Sequence, residues 1–327
     1  MKKYLVTGST GFIGSAFIRH LANRHKADLE DWQIRALYRN SSQTNLQRLT
    51  SDGLVCNAIS RGWIKLVNHD LTGDISGVCE DIDIVVNFAA KTFVDHSIKD
   101  PEPFIQSNIV GTSHLLEDAR RYKVTRFIQV STDEVYGQIL TGAYTEDAPI
   151  NPRNPYAASK AAADAMAISY AHTFGMHTTI TRTENNYGPF QHPQKAFPTF
   201  VRKAIANESL PIYGDGQHVR QWLYVDDHVR GILHLLNRDY PAGEVFHVAG
   251  RQELTNIDLA KKILDAMGKP HSLIQFIDDH NIRPGHDRRY ALNCDKLVAT
   301  GWQPLTSLDE GIQKSVSWYV NNQWWLS

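Results

Sequence analysis

Thr7-Gly8-Ser9-Thr10-Gly11-Phe12-Ile13-Gly14 joins the apolar run Lys3–Thr7 to an amphipathic stretch that begins at Phe12. Its glycines follow the spacing G-x-x-G-x-x-G. Glycines at a strand-to-helix junction allow a tight turn and let the backbone approach a pyrophosphate at the positive end of the helix. We therefore predict a dinucleotide-binding loop, the alternative being a glycine-rich turn without a ligand. The loop residues assigned to the cofactor are Gly8, Gly11, Phe12, Ile13 and Gly14.

Beyond this loop, short β-branched runs alternate with longer helical patterns. The predicted strands are Lys3–Thr7, Ile34–Tyr38, Ile64–Val67, Ile82–Phe88, Phe127–Ser131 and Thr178–Thr181. The predicted helices are Phe12–Asn23, Phe104–Arg121 and Pro155–Phe174. Such alternation predicts an α/β fold with a doubly wound parallel sheet of the Rossmann type. We expect residues 1–188 to form a dinucleotide-binding domain to which later segments return, and residues 189–327 to form mainly a smaller α/β substrate lobe.

Composition narrows the function classes. The 327-residue chain is 42% hydrophobic and has a formal net charge of −1, as in an ordinary globular protein. Such a balance argues against a broad nucleic-acid or membrane surface but allows a local phosphate pocket. Three cysteines (Cys56, Cys79 and Cys294) show no metal-ligand spacing and cannot all pair. We therefore expect a reduced, cytoplasmic setting with no metal, no nucleic-acid partner and no membrane partner.

The end of the second predicted strand bears on the choice of cofactor. An NAD site normally places Asp or Glu there, whereas this strand ends Tyr38-Arg39-Asn40-Ser41-Ser42. Arg39 with the hydroxyls of Ser41 and Ser42 favours NADP by offering partners for a 2′-phosphate. Alternatively, Arg39 stacks on adenine or lies in solvent, so both NAD and NADP remain open. Asp70 and Ala89 complete the predicted cofactor contacts.

Tyr156 and Lys160 stand at positions i and i+4 of a helix predicted to begin near Pro155. A lysine ammonium beside a phenol, with a cationic nicotinamide nearby, lowers a tyrosine pKa that starts near ~10. A tyrosine tuned in this way can take a proton from a sugar hydroxyl. The pair alone is also compatible with an exposed tyrosine and a solvated lysine.

A second polar motif, Ser131-Thr132-Asp133-Glu134, follows the strand Phe127–Ser131. Successive strand residues point to opposite faces, so the two carboxyls can share a ligand only if the backbone leaves strand geometry. Two carboxyls at one site tend to separate into an acid and a base, which is the pair that loss of water requires. The alternative is a solvated acidic loop.

Together these motifs resemble the dTDP-glucose 4,6-dehydratases of the extended short-chain dehydrogenase/reductase family, from Lys3 almost to the C-terminus. Related 4-epimerases usually carry small residues after the Ser or Thr, and UDP-xylose-type decarboxylases and GDP-mannose dehydratases carry Ser-Thr-Ser-Glu or a similar run. The matching stretches are Gly8–Gly14, Asn87–Ala90, Val94–Asp95, Ser131–Gly137, Tyr156–Lys160, Asn185–Pro189, Pro211–Gly214, Arg220–Val225 and Arg283–Tyr290.

The resemblance implies a role for each catalytic candidate. Tyr156 is the base for the C4 hydroxyl, Lys160 tunes it, and Thr132 hydrogen-bonds the C4 oxygen. Hydride passes from C4 to the cofactor, Glu134 removes the C5 proton, and Asp133 protonates the departing C6 hydroxyl. Hydride then returns to C6, which gives a 4-keto-6-deoxy sugar and regenerates a tightly held cofactor.

The resemblance also implies a nucleotide-sugar site and a homodimer built by the helices Phe104–Arg121 and Pro155–Phe174. The substrate candidates are Thr92, Asn186, Lys195, Arg220, Asn256, Arg283 and His286. Interdomain ion pairing is the alternative role for the charged members. Lys91, Phe93 and His96 stand where the family usually has Glu, His and Arg, which leaves the sugar and the base open. No structure is assigned to a loop around Ser51–Ile59.

Three hypotheses follow. The first is a 4,6-dehydratase acting on an NDP-hexose such as dTDP-glucose. The second is a UDP-sugar 4-epimerase or decarboxylase, which would not need Asp133 beside Glu134. The third is a non-catalytic dinucleotide-binding sensor, which would not need Thr132, Tyr156 and Lys160 together.

Overall fold

The computed structural model describes residues 1–26, 32–39, 43–278 and 287–326. The strands, numbered along the chain, are β1 Lys2–Thr7, β2 Trp32–Tyr38, β3 Ile64–Asn68, β4 Ile84–Asn87, β5 Arg126–Thr132, β6 Thr178–Thr183, β7 Asn185–Tyr187, β8 Leu210–Tyr213, β9 Val219–Tyr224, β10 Glu244–Val248, β11 Glu253–Thr255 and β12 Ile274–Ile277. The α-helices are α1 Phe12–Lys26, α2 Gln43–Thr50, α3 Gly53–Ser60, α4 Val94–Lys99, α5 Glu102–Phe104, α6 Gly111–Arg121, α7 Pro155–Phe174, α8 Ala196–Ile205, α9 Val225–Leu236, α10 Asn256–Ala266, α11 Asp295–Val298 and α12 Leu308–Asn321.

A seven-stranded sheet, counted over the described residues, runs in the order β10-β6-β5-β4-β1-β2-β3. β1 pairs in parallel with both β2 and β4, and the pairs β2–β3 and β4–β5 are also parallel. This is the predicted doubly wound sheet, and the six strands predicted from sequence form within about two residues of their expected ends. Strand order reverses between β1 and β4, where ligands bind in sheets of this kind.

Two compact units interleave along the chain. The first comprises Met1–Val135, Ile150–Arg182 and Val229–Phe246, and the second comprises Tyr136–Pro149, Thr183–His228 and His247–Ser327. The first contains most of the large sheet and packs Leu5, Val85 and Phe127 against Leu115 and Leu116 of α6. The predicted functional boundary near residue 188 remains a proposal.

The second unit has its own small sheets and core. β9 lies between β7 and β11, and β12 pairs in parallel with β8. Its core clusters Tyr187, Phe197 and Trp222 with side chains of α10 and α12 such as Ile263 and Ile312.

Local signals fix the helix that carries the tyrosine–lysine pair. The Asn154 side chain accepts a hydrogen bond from Ala157 N at 2.8 Å, and Pro155 occupies the first turn. Gly175 ends α7 in the left-handed region, at φ +64°. Side-chain capping and a C-terminal glycine are the usual start and stop signals, which explains why the predicted and observed bounds coincide.

Two sequence expectations need correction. The segment around Ser51–Ile59 is the helix α3, because the Asp52 carboxylate caps Leu54 N at 2.9 Å and Val55 N at 3.2 Å. The predicted helix Phe104–Arg121 is interrupted by a π-helix over Ile105–Val110. Among the described residues, no helix is both long and apolar enough to cross a membrane.

Candidate active site

The glycine loop leaves no room for side chains where β1 meets α1. Gly8 has φ +59°, and a Cβ there would lie 2.8 Å from Ala89 N. A Cβ on Gly11 would lie 2.9 Å from Gly8 O, and one on Gly14 would collide with the same oxygen. Gly11 N also donates to Gly8 O at 2.8 Å. This backbone cradle at a helix N-terminus fits a dinucleotide pyrophosphate.

A buried polar network joins the carboxyl ends of the three central strands beside this loop. The Thr7 hydroxyl on β1 donates to Asn87 Oδ1 at 2.5 Å, and Asn87 Nδ2 on β4 donates to Gln129 Oε1 at 2.8 Å on β5. Ala89 N donates to Thr7 Oγ1 at 3.2 Å, which places this cofactor candidate against β1. These hydrogen bonds hold the strand ends together beside the glycine loop, although Gln129 Nε2 is buried with no hydrogen-bond partner among the described residues.

Arg48 was not anticipated from the sequence. Its guanidinium is buried and donates to Thr10 O in the glycine loop at 3.0 Å. No sequence motif marks it, because its contact depends on how α2 packs near the loop.

Arg39 and Asp70, two further residues predicted to contact the cofactor, form an exposed ion pair. Arg39 Nη1 lies 3.5 Å from Asp70 Oδ2, with both side chains about half exposed. Burial alone would raise the pKa of Asp70, but hydrogen bonds from Thr72 and the charge of Arg39 bring it below its usual value. Arg39 therefore has a carboxylate partner within the protein. The NADP candidates Ser41 and Ser42 lie outside the described residues.

The acidic pair stands where β5 leaves strand geometry, as the sequence required. β5 ends at Thr132 and a 3-10 turn covers Asp133–Tyr136. The Thr132 hydroxyl donates to Asp133 Oδ1 at 3.1 Å and accepts Glu134 N at 3.3 Å. The turn thereby frees both acids from strand alternation.

The carboxyl groups of Asp133 and Glu134 lie in different surroundings. Asp133 is only 4% exposed, whereas Glu134 is half-buried and accepts Asn154 Nδ2 on its carboxylate at 3.0 Å. Burial disfavours a charged carboxyl, and a hydrogen-bond donor favours one. The two groups are thus placed in environments that suit an acid and a base.

Tyr156 lies on α7 in the same unit, and the structure brings it to Thr132. Its backbone N–H donates to Ser97 Oγ at 3.1 Å, and its side chain hydrogen-bonds with that of Thr132. Burial, followed by the charges of Glu134 and Asp133, raises the pKa of Tyr156. The lowered pKa predicted from the sequence assumed a cationic nicotinamide beside the phenol, so it stays a prediction for the cofactor-bound protein, while burial and then the neighbouring carboxylates raise the pKa in the chain by itself.

Lys160 lies one turn after Tyr156 and is 4% exposed. Its ammonium donates to Val130 O on β5 at 2.6 Å. Burial lowers the pKa of Lys160 to about 8, opposed by the charge of Asp164. The structure thus gathers the five predicted catalytic residues within the first unit.

Of the predicted substrate residues, Thr92 is exposed between β4 and α4 in the first unit. Asn186, Arg220 and Asn256 occur in the second unit on, or directly after, the strands β7, β9 and β11. Lys195 caps α8 in that unit and is partly buried. Arg283 and His286 lie outside the described residues.

Two of these side chains are engaged within the protein. Arg220 donates to the backbone oxygens of Asp287 at 2.9 Å and Val219 at 2.7 Å. The Asn186 amide donates to Thr183 Oγ1 at 3.0 Å, and its oxygen is 3.0 Å from Nδ1 of His228. His228 is fully buried, and burial lowers its pKa to about 3. Its contact with Asn186 joins residues 42 positions apart and has no local sequence signal.

The chain matches the family model described as GDP-mannose 4,6 dehydratase over residues 5–315. It is 42% identical to a dTDP-glucose 4,6-dehydratase of an Actinoplanes strain over 99% of each chain. It is 41% identical to the low-salt glycan biosynthesis protein Agl12 of Haloferax volcanii, over 97% of this chain and 98% of that protein.

A solved structure extends the likeness to the fold. DesIV, a dTDP-glucose 4,6-dehydratase from Streptomyces venezuelae crystallised with NAD bound, superposes with a TM-score of 0.89 at 38% identity. The match covers 99% of this chain and 98% of that one.

Proposed function

Since this chain belongs to the family described as GDP-mannose 4,6 dehydratase, within the extended short-chain dehydrogenases/reductases, we propose that it is an NDP-glucose 4,6-dehydratase acting on dTDP-glucose. Its product is an NDP-4-keto-6-deoxyhexose. The full-length relatives named as dTDP-glucose 4,6-dehydratases support this choice of substrate. The observation that carries it is the turn Asp133–Tyr136, which places the two acids directly after Thr132 and joins Glu134 to Asn154, the residue that caps the helix of Tyr156.

The cofactor is NAD, held by the cradle of Gly8, Gly11 and Gly14, with Phe12, Ile13, Arg39, Asp70, Ala89, Tyr156 and Lys160 as its further contacts. NAD supplies a hydride acceptor at C4 and a hydride donor at C6, so no external reductant is consumed. The NAD bound to DesIV supports this cofactor, and the preference for NADP drawn from Arg39 gains no support from it.

Tyr156 removes the proton of the C4 hydroxyl, with Thr132 holding the same oxygen. The raised pKa of Tyr156 makes this step unfavourable in the chain alone. Positive charge close to the phenol is therefore essential, and Lys160 is the protein group placed to provide it.

Glu134 and Asp133 divide the elimination between them. Glu134, held as a carboxylate by the Asn154 amide, removes the C5 proton that the C4 ketone has acidified. Asp133, buried beside Thr132, gives its proton to the departing C6 hydroxyl. A 4-epimerase has no leaving hydroxyl and would not need this second acid.

The second unit supplies the nucleotide contacts in our proposal. Lys195 and Asn256 place polar side chains that are only partly buried. Arg220 and Asn186 would have to exchange internal hydrogen bonds for the diphosphate. Thr92, Arg283 and His286 also remain proposed substrate residues.

We also propose a cytoplasmic homodimer assembled through α6 and α7 with the π-helix before α6. Ile105 is 41% exposed and Phe174 is 51% exposed, which leaves apolar surface on these helices for a second copy. The three cysteines are free thiols, as expected in a reducing compartment.

The cofactor assignment is tested by Gly8→Ala. The substitution forces an alanine into the left-handed region, at a cost of about 1 to 2 kcal/mol, and drives its Cβ into the backbone of Phe88 and Ala89. We expect purified protein with little bound NAD and a lower Tm. Gly53→Ala is the matched control, because nothing lies within 4 Å of its Cβ. Equal NAD content in both variants would contradict the assignment.

The activity is tested by incubating purified protein, without added cofactor, with dTDP-, UDP-, GDP- and CDP-glucose in deuterated water. We expect dTDP-glucose to lose one water and to gain deuterium at C5, because Glu134 exchanges that proton with solvent. Product mass and NMR provide the measurement. A product that retains its C6 hydroxyl would identify an epimerase, and cofactor binding without any product would indicate a sensor.

A further inference from the structure

A buried charged cluster lies along α7, one helical turn beyond the catalytic Lys160. It consists of Asp164, one helical turn after Lys160, with Ser131 on β5 and Arg182 on β6. Asp164 is 1% exposed, Arg182 3% and Ser131 4%. Moving two charges from water into the protein interior costs about as much free energy as their attraction returns. A buried ion pair is therefore weak evidence for a purely stabilising role.

Asp164 is anchored through one carboxylate oxygen. Its Oδ2 accepts Arg182 Nε at 3.0 Å and the Ser131 hydroxyl at 2.9 Å. Its Oδ1 is buried and has no hydrogen-bond partner among the described residues. Burial raises the pKa of Asp164, and the charges of Arg182 and Lys160 oppose that rise. The anchored carboxylate therefore acts on its surroundings mainly through charge, which is strong in a low-dielectric interior.

Lys160 is surrounded by titratable groups from three elements. Tyr156 and Asp164 share its helix, Asp133 and Glu134 follow β5, and Arg182 comes from β6. The charge of Asp164 opposes the effect of burial on the pKa of Lys160, and it also acts on Tyr156. The Lys160 ammonium donates to Val130 O, and Ser131, the next residue of β5, donates to Asp164, so one strand end holds both side chains.

We propose that Asp164 is a positioning residue: anchored by Arg182 and Ser131, it holds a carboxylate one helical turn from the buried Lys160 ammonium and so stabilises that ammonium next to Tyr156. This inference rests on the proposed function, because the charge on Lys160 matters to turnover only if Tyr156 acts as a base. Asp164 touches neither substrate nor cofactor in this scheme. Its charge acts on Lys160 and also adds, after burial and the charges of Glu134 and Asp133, to the rise in the pKa of Tyr156.

The first test compares the pH dependence of kcat and KM for dTDP-glucose in the wild type and in Asp164→Asn. Loss of the Asp164 charge lowers the pKa of Lys160, so the ammonium loses its proton at a lower pH. We expect the basic limb of kcat to move down by about one pH unit, a tenfold change in the proton equilibrium. The kcat values of the two enzymes converge at low pH, where Lys160 is charged in both. KM for dTDP-glucose stays within about twofold, because the substitution does not change the contacts that bind the substrate.

Asp239→Asn is the matched control. It removes the same charge from an arginine pair in the same unit, Arg126–Asp239 at 2.9 Å, but its carboxylate is fully exposed. We expect its pH profile to match the wild type. A profile of Asp164→Asn that also matches the wild type, or a loss of kcat equal at all pH values, would overturn the inference.

A second measurement does not need turnover. NMR of lysine labelled at Nζ follows the Lys160 titration directly, with the resonance assigned by its loss in Lys160→Met. We expect a lower pKa in Asp164→Asn and, should that variant not fold, a smaller shift in the same direction in Ser131→Ala, which removes one donor from the carboxylate. An unmoved titration refutes the inference. A wild type inactive on every NDP-glucose refutes the proposed function instead, and the lysine titration still decides the role of Asp164.

Discussion

Tyr156→Phe is expected to lower kcat on dTDP-glucose by about 10²- to 10⁴-fold, the usual contribution of a positioned general base. The substitution removes the phenolic oxygen and leaves the ring, which packs edge-to-face against Phe104 at 6.5 Å between centroids. Folding should therefore be preserved. The lost step is the first one, so bound NAD should stay oxidised when substrate is added.

Stopped-flow absorbance of the nicotinamide after mixing with dTDP-glucose gives the measurement. Tyr122→Phe serves as the control, because Tyr122 lies in the same unit but is 38% exposed at the end of α6. Its rates should equal those of the wild type. Rapid reduction of the cofactor in Tyr156→Phe would show that another group takes the C4 proton.

The sequence predicted the elements whose signals are local. α7 has its expected ends because Asn154, Pro155 and Gly175 are adjacent to the turns they control. The same holds for the glycine loop, whose positive φ at Gly8 and close backbone contacts follow from the spacing of three glycines. α3 has such a local signal as well, in the cap residue Asp52.

What the sequence could not provide depends on contacts between distant segments. The π-helix within the predicted helix Phe104–Arg121 contains Asn108. The Asn108 side chain accepts a hydrogen bond from Lys91 N at 2.8 Å and donates one to the Ser159 hydroxyl at 2.8 Å. Both partners are remote along the chain. π-bulges are frequent at functional sites, and this one ties the segment after β4 to the helix of Tyr156.

The catalytic groups also combine features that the local sequence shows with features that depend on contacts between distant segments. The spacing of Tyr156, Lys160 and Asp164 is visible as an i, i+4, i+8 series, but the arginine that anchors Asp164 comes from β6. In the chain by itself the pKa of Tyr156 is raised, because the fold buries the phenol and brings the charges of Glu134 and Asp133 toward it, whereas the sequence shows only the lysine one turn away. Pairwise spacing along one helix therefore identifies the residues, while the electrostatics requires the fold.

Asp133→Asn separates the two halves of the proposed reaction. Asparagine keeps an oxygen that can accept the Thr132 hydroxyl, now at 3.1 Å from Asp133, but it has no proton to give to the C6 oxygen. Oxidation at C4 should proceed, and loss of water should slow by about 10²- to 10⁴-fold. Reduced nicotinamide is then expected to accumulate during turnover.

Glu134→Gln is the complementary variant, because it removes the base at C5 and keeps the acid. In deuterated water, dTDP-glucose recovered from Asp133→Asn should carry deuterium at C5, since Glu134 still exchanges that proton through the oxidised sugar. Substrate recovered from Glu134→Gln should not. Unchanged turnover of Asp133→Asn, or the reverse labelling pattern, would mean that the buried acid is not the group that releases the C6 hydroxyl, and the assignment of acid and base from burial and the Asn154 hydrogen bond would have to be exchanged or abandoned.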